Sequence, residues 1–184
     1  MIWYFTPYSF EKKLFKAWDD YMNLVQNPDD WVCMMDGDVL FLLSDFGHQM
    51  QTYIDLYPDT GLFTCYASRT TRKWLKWKGA DMENPSMVYH RNKAEQLHKA
   101  YHGQVIDLGE SKALGYLMLM KKSTWLIIRD QVAEWTSEKD ILGVDTRISK
   151  AIRKAGFKNY LMKGMYILHY YRMKNGVKDK SILL

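Results

Sequence analysis

The chain has 184 residues, 47% of them hydrophobic and 15% aromatic, with a formal net charge of +5. That length and apolar content suit one domain with its own core and exclude a disordered chain. The positive excess favours anionic partners such as nucleotide phosphates, nucleic acid or an acidic membrane surface, and is too small to choose among them.

Ile2 to Phe5 is rich in β-formers and reads as a first strand, stopped by Pro7. Ser9 is a plausible N-cap for a helix over residues 10–25, with Leu14, Trp18, Met22 and Val25 on one face. A second strand, Trp31 to Met35, is apolar throughout and bounded by turn residues, as a strand buried on both faces should be. Residues 39–43 continue apolar. Ser44-Asp45 then caps a helix carrying Met50, Tyr53, Ile54 and Tyr57, and a strand follows over residues 62–67. Residues 69–85 lack a period and read as a long irregular loop or short helix. Helices are expected over residues 92–101, from Ser123 to about Trp135, and from Asp145 to Ala155 with Gly156 at C′. Residues 115–120 and 160–168 read as strands, and a basic tail follows with Arg172, Lys174, Lys178 and Lys180.

Strands alternate with helices along the front half, which predicts an α/β domain with a mostly parallel sheet. Ligands of such sheets sit beyond the carboxyl ends of strands. Asp36 and Asp38 fall there, flanking Gly37. Two carboxylates at a strand end are costly to bury without a positive partner, and a divalent cation with oxygen ligands is one. Cys33 and Cys65 sit in apolar runs and read as buried thiols of a reducing compartment, and no Cys/His spacing resembles a zinc site. The N-terminus lacks a basic leader and a small-residue cleavage site, and no apolar run approaches the roughly 20 residues of a membrane span. A soluble cytoplasmic protein, with peripheral membrane contact at most, is the expectation.

The string Met35-Asp36-Gly37-Asp38-Val39-Leu40-Phe41 resembles the DxD segment of GT-A glycosyltransferases, especially those of the family 2 type. Three further segments agree in order and rough spacing. Residues 113–125 resemble the central strand and following helix on the acceptor side. Residues 143–149, followed by Ala155-Gly156-Phe157-Lys158, resemble the acidic residue heading a helix that ends in a glycine turn. His169 resembles the late histidine that joins the metal site. The resemblance spans residues 1–172. It implies a GT-A-like (Rossmann-like) three-layer sandwich over one compact domain, residues 1–184, with a mostly parallel central sheet. It also implies an abbreviated nucleotide-binding half, because a single helix joins Phe5 to Trp31 where family members place two βα units.

The implied activity is metal-dependent transfer of a sugar from a UDP- or GDP-type nucleotide sugar to a hydroxyl of a glycan, lipid-linked or protein acceptor, with inversion. Asp36, Asp38 and His169 would hold manganese or magnesium, Asp145 would be the catalytic base, and Thr6, Pro7 and Tyr8 with Asp36 and Gly37 would hold the donor. Each residue also has a purely structural use: aspartates in a glycine turn, a carboxylate heading a helix, a histidine hydrogen-bonded among aromatics. His98 and His102 share a helix face without an acidic partner at ligand spacing, and a solvated face is the simpler reading.

The basic, aromatic stretch over residues 69–78 suits a solvated loop, a phosphate clamp, an anionic acceptor, a membrane surface or stacking on bases. It carries the alternative reading, a nucleic-acid or anionic-surface binding module without catalysis. That reading leaves the aspartate pair unexplained, so nucleic acid is the less favoured partner. A nucleotidyltransferase or other metal-phosphate enzyme is a third reading, which lacks the Gly-rich phosphate loop.

Overall fold

The computed structural model describes residues 1–11, 13–81, 84–137 and 143–170. The basic tail, Glu83 and part of the 136–143 loop lie outside the described residues. In chain order the elements are β1 (Ile2–Phe5), α1 (Leu14–Asn23), β2 (Trp31–Met35), β3 (Val39–Phe41), α2 (Phe46–Leu56), β4 (Leu62–Ala67), a 3-10 turn (Lys73–Leu75), α3 (Met87–Tyr101), β5 (Val105–Asp107), β6 (Leu117–Lys121), α4 (Lys122–Glu134), α5 (Val144–Lys154) and β7 (Asn159–His169).

The seven strands form one open sheet in the order β1-β2-β6-β4-β7-β3, with β5 pairing to β7. The apolar runs of β2, β4 and β6 are explained by this order. Each is an interior strand, and nearly every residue in them is buried. The sheet is mixed, which corrects the expected mostly parallel arrangement. Only β1–β2 and β4–β7 pair in parallel, and the other four pairings are antiparallel. Alternation of strands and helices predicts direction only where a helix carries the chain back across the sheet. Here β6 follows β5 through a loop without a helix and inserts, reversed, between β2 and β4. Even so, β1, β2, β4 and β7 all run the same way, and their carboxyl ends share one edge.

Trp31, Phe63 and Tyr53 form a ring ladder that seats α2 on the sheet, with centroids 5.6 and 6.3 Å apart. Trp18 of α1 meets Trp125 of α4, and α4 also packs on α5. Lys122 begins α4 buried. Its Nζ donates to the Met22 carbonyl at 2.7 Å, which places a cation at the negative end of α1.

Asp19 locks the same corner. Its carboxylate accepts from Arg129 Nε at 2.7 Å, Arg129 Nη2 at 2.8 Å and Trp125 Nε1 at 3.2 Å. The Arg129 hydrogen bond holds its carboxyl below the usual aspartate range, against the opposing effect of burial. A depressed folded pKa stabilises the fold above the unfolded value of about 3.9, and that stability is lost as pH falls through the folded value. Asp19→Ala leaves a buried indole N–H without its acceptor. It is expected to cost about 2–3 kcal/mol at neutral pH, discounted for the half-exposed guanidinium, and to flatten the acid limb of a urea-melt stability profile.

The pairing of β4 with β7 breaks register after Cys65, where Tyr66 meets Tyr166. Residues 163–165 of β7 bulge out. There Lys163 N–H bonds the Gln104 carbonyl and Gly164 N–H bonds Tyr53 Oη. A Cβ on Gly164 would lie 2.8 Å from the backbone nitrogen of His102. Gly164→Ala is expected to cost at least about 1–3 kcal/mol in a thermal or urea melt, because backbone cannot step aside as a side chain would.

Cys33 and Cys65 are free and buried, and burial pushes both thiols up. No helix among the described residues is long and apolar enough to cross a membrane.

Candidate metal centre and adjoining cavity

Because β1, β2, β4 and β7 end at one edge, the residues that follow them meet: Pro7 after β1, Asp36 after β2, Thr70 and Thr71 after β4, and His169 closing β7. The antiparallel pairing of β3 with β7 places Val39 opposite His169, so Asp38 also faces the histidine. Asp36 N–H is tied to the Tyr116 carbonyl at 3.4 Å, and the Asp38 carbonyl accepts Tyr170 N–H at 3.0 Å.

One ligand atom from each of Asp36, Asp38 and His169 lies within 4.8 Å of the other two, so these residues can hold a metal ion. His169 Nε2 is 3.3 Å from Asp38 Oδ1 and 3.7 Å from Asp36 Oδ2. Its Nδ1 lies 2.9 Å from the Arg69 carbonyl, which can only accept, so Nδ1 carries the proton. The lone pair of the neutral ring therefore belongs to Nε2 and points at the carboxylates, the tautomer that metal-binding histidines adopt. Ser68 fixes the histidine's backbone from both sides. Its Oγ accepts from His169 N–H at 2.9 Å and donates to the His169 carbonyl at 3.2 Å. Oxygen ligands with one imidazole suit manganese and, less well, magnesium.

The electrostatics fit a cation. Burial raises the Asp36 carboxyl above its ordinary value, and the charges of Asp38 and Asp145 add to the rise while His169 opposes it. The His169 hydrogen bond pulls Asp38 down against burial. Burial is the largest influence on His169 and disfavours its charge. In the protonated ring Nε2–H faces Asp38, and that contact, the Arg69 carbonyl and the nearby carboxylate charges outweigh burial and leave the imidazole raised. Two carboxylates and an imidazole thus share a scarce proton, and a bound cation would take its place.

Beside this cluster lies a cavity of about 290 Å³, whose lining combines the apolar Pro7, Leu14, Trp18, Met35, Leu114 and Tyr116 with the polar Asp36, Thr70, Thr71, Asp145 and His169. Asp145 stands in the first turn of α5, which Gly143 enters at φ +93°. Its Oδ2 accepts Gly115 N–H at 3.2 Å and its Oδ1 accepts Thr146 N–H at 2.7 Å. Gly115 separates the carboxylates: a Cβ there would lie 3.7 Å from Asp36 Oδ1 and 3.8 Å from Asp145 Cβ.

Of the other residues singled out from sequence, Pro7 lines the cavity and Thr6 packs its methyl toward Gly37, 3.5 Å from where a Cβ would stand. Tyr8 is 72% exposed on the segment just outside. His90 is a structural histidine, bonded to Tyr166 Oη and the Asn84 carbonyl. The His98 and His102 rings lie 4.4 Å apart, inclined at 60° to each other. Thr70, Thr71, Trp18 and Tyr116 escaped sequence reasoning. The Thr70-Thr71 doublet, separated from a buried strand only by Ser68 and Arg69, was the one local signal. The chain matches no protein-family model, and no curated protein or solved structure matches it.

Proposed function

We propose that this protein is a metal-dependent glycosyltransferase, moving a sugar from a UDP- or GDP-type donor to a hydroxyl acceptor with inversion, on a GT-A-like three-layer fold. The observation that carries the reading is the meeting of Asp36, Asp38 and His169 beside a largely apolar cavity that Asp145 also lines. Asp36, Asp38 and His169 would hold manganese or magnesium, which when bound offsets charge on a leaving diphosphate as a Lewis acid. The Arg69 carbonyl and Ser68 keep the imidazole aimed at that position without rearrangement. Thr6 and Pro7 with Gly37 supply the donor side that the short N-terminal half leaves open, and Tyr8 stands exposed beyond them. Asp145, oriented by Gly115 N–H, retains lone pairs to accept the proton of an acceptor hydroxyl. Trp18, Leu14 and Tyr116 exclude water and offer faces to a sugar ring.

The test is thermal stabilisation by UDP, GDP and CMP with and without manganese, since a ligand bound to the folded state raises the melting point by mass action. A manganese-dependent rise with one nucleotide is the expected result. No rise with any of them, together with salt-sensitive binding to nucleic acid, overturns the reading in favour of a binding module.

A further inference from the structure

Three of the described segments that line the cavity carry lysine or arginine, and two of them also carry exposed aromatic side chains. The first runs from Pro7 to Leu14, both of which line the cavity. Between them Tyr8 is 72% and Phe10 87% exposed, beside Lys13. The second leaves the cavity at Thr70 and Thr71 and reaches Arg72, exposed Lys73 and Trp74, with the Arg72 guanidinium 5.7 Å from the Trp74 ring centre. The third contains Lys112, whose carbonyl accepts Trp74 Nε1–H at 3.1 Å, and then Leu114 and Gly115 of the cavity wall. One acidic residue, Glu11, stands on the first segment, and Lys13 pairs with it at 3.0 Å.

A phenylalanine almost wholly in water gains nothing for the fold, and single exposed aromatics are common. Here the exposed rings lie on segments that adjoin one opening, with lysines and arginine between them. Amphipathic rings at headgroup depth with basic side chains at the phosphates are the chemistry by which proteins rest on an anionic bilayer. We propose that this rim, through Tyr8, Phe10 and Trp74 with Lys13, Arg72, Lys73 and Lys112, seats the protein on an anionic lipid surface with the cavity mouth facing the headgroups. The acceptor is then a hydroxyl carried on a lipid, a step that rests on the transferase reading, whereas the docking surface itself does not.

The experiment is flotation of the full chain with vesicles of phosphatidylcholine, with and without phosphatidylglycerol, at low and high salt. Wild type is expected to float with the mixed vesicles, to be released by salt, and to float poorly with the neutral ones. Tyr8→Ser combined with Phe10→Ser removes two solvent-facing rings without touching the core, and is expected to weaken flotation about tenfold or more. Equal flotation of this variant and wild type overturns the proposal. So does wild type that stays in solution, or an exposed patch that instead drives self-association in a concentration series of sedimentation runs. Nucleotide-dependent melting shifts without vesicles report separately on the transferase reading, so the two can fail independently.

Discussion

Asp38→Ala is expected to abolish manganese-dependent stabilisation by the nucleotide while leaving the melting point of the metal-free protein nearly unchanged. The two halves of that result have different causes. Asp38 is half-exposed and follows a turn glycine, and its main partner in the metal-free chain is His169. A partly exposed pair of this kind contributes on the order of 1 kcal/mol or less. Removing Asp38 also takes one of three ligand groups from the cluster and leaves Asp36, whose carboxyl burial already pushes toward the neutral form. Turnover is then expected to fall about a hundredfold or more, the equivalent of about 3 kcal/mol or more of lost charge stabilisation. A variant that keeps the full manganese-dependent shift would remove Asp38 from the ligand set. Retained turnover alongside a lost shift would place the chemistry elsewhere.

Why some of this was legible in the sequence and some was not follows from where each signal resides. β2 and β4 are interior strands between turn residues, so their apolar runs announce themselves. The aspartate pair and His169 were readable because each stands directly beside a strand end. α5 was readable from its apolar stripe and from Gly156, which takes φ +89° after it. α3 begins at Met87, five residues before the expected start. Its buried stripe is His90, Ala94 and Leu97, the first of which does not look apolar, and its true cap is Ser86, whose Oγ accepts Tyr89 N–H. α1 starts at Leu14 because Ser9 Oγ takes Lys13 N–H in a preceding turn, four residues after the expected start. β5 has three half-exposed or exposed residues and is a strand only by pairing with β7.

The reversed direction of β6 has no local signature at all. It follows from how the chain enters the sheet edge, and it matters for the site. The same insertion brings Leu114, Gly115 and Tyr116 to the edge where β2 and β4 end. Tyr116 then bonds the Cys65 carbonyl at 2.6 Å and lies 5.3 Å from the His169 ring. The wall between Asp36 and Asp145 is thus a product of topology, which no spacing in the sequence encodes.

Asp145→Asn separates catalysis from structure at that wall. Asparagine keeps the shape and one carbonyl oxygen, so one of the Gly115 and Thr146 N–H groups retains an acceptor and the other loses it, at a cost of about 1 kcal/mol. The loss of a negative charge in the first turn of α5 costs about 0.3–1 kcal/mol. A merely structural aspartate would therefore be replaced with a small drop in melting point and no change in turnover. Under the proposed transfer the amide cannot take the acceptor's proton, and kcat is expected to fall about 10²–10⁴-fold while the nucleotide-dependent melting shift persists. The remaining activity should invert the anomeric centre, read by NMR of the product, because a single direct displacement inverts that carbon whichever group takes the acceptor's proton. Unchanged kcat would leave Asp145 as a helix-end carboxylate. Lost donor binding would instead move it to the donor side of Gly115, where its charge already raises Asp36.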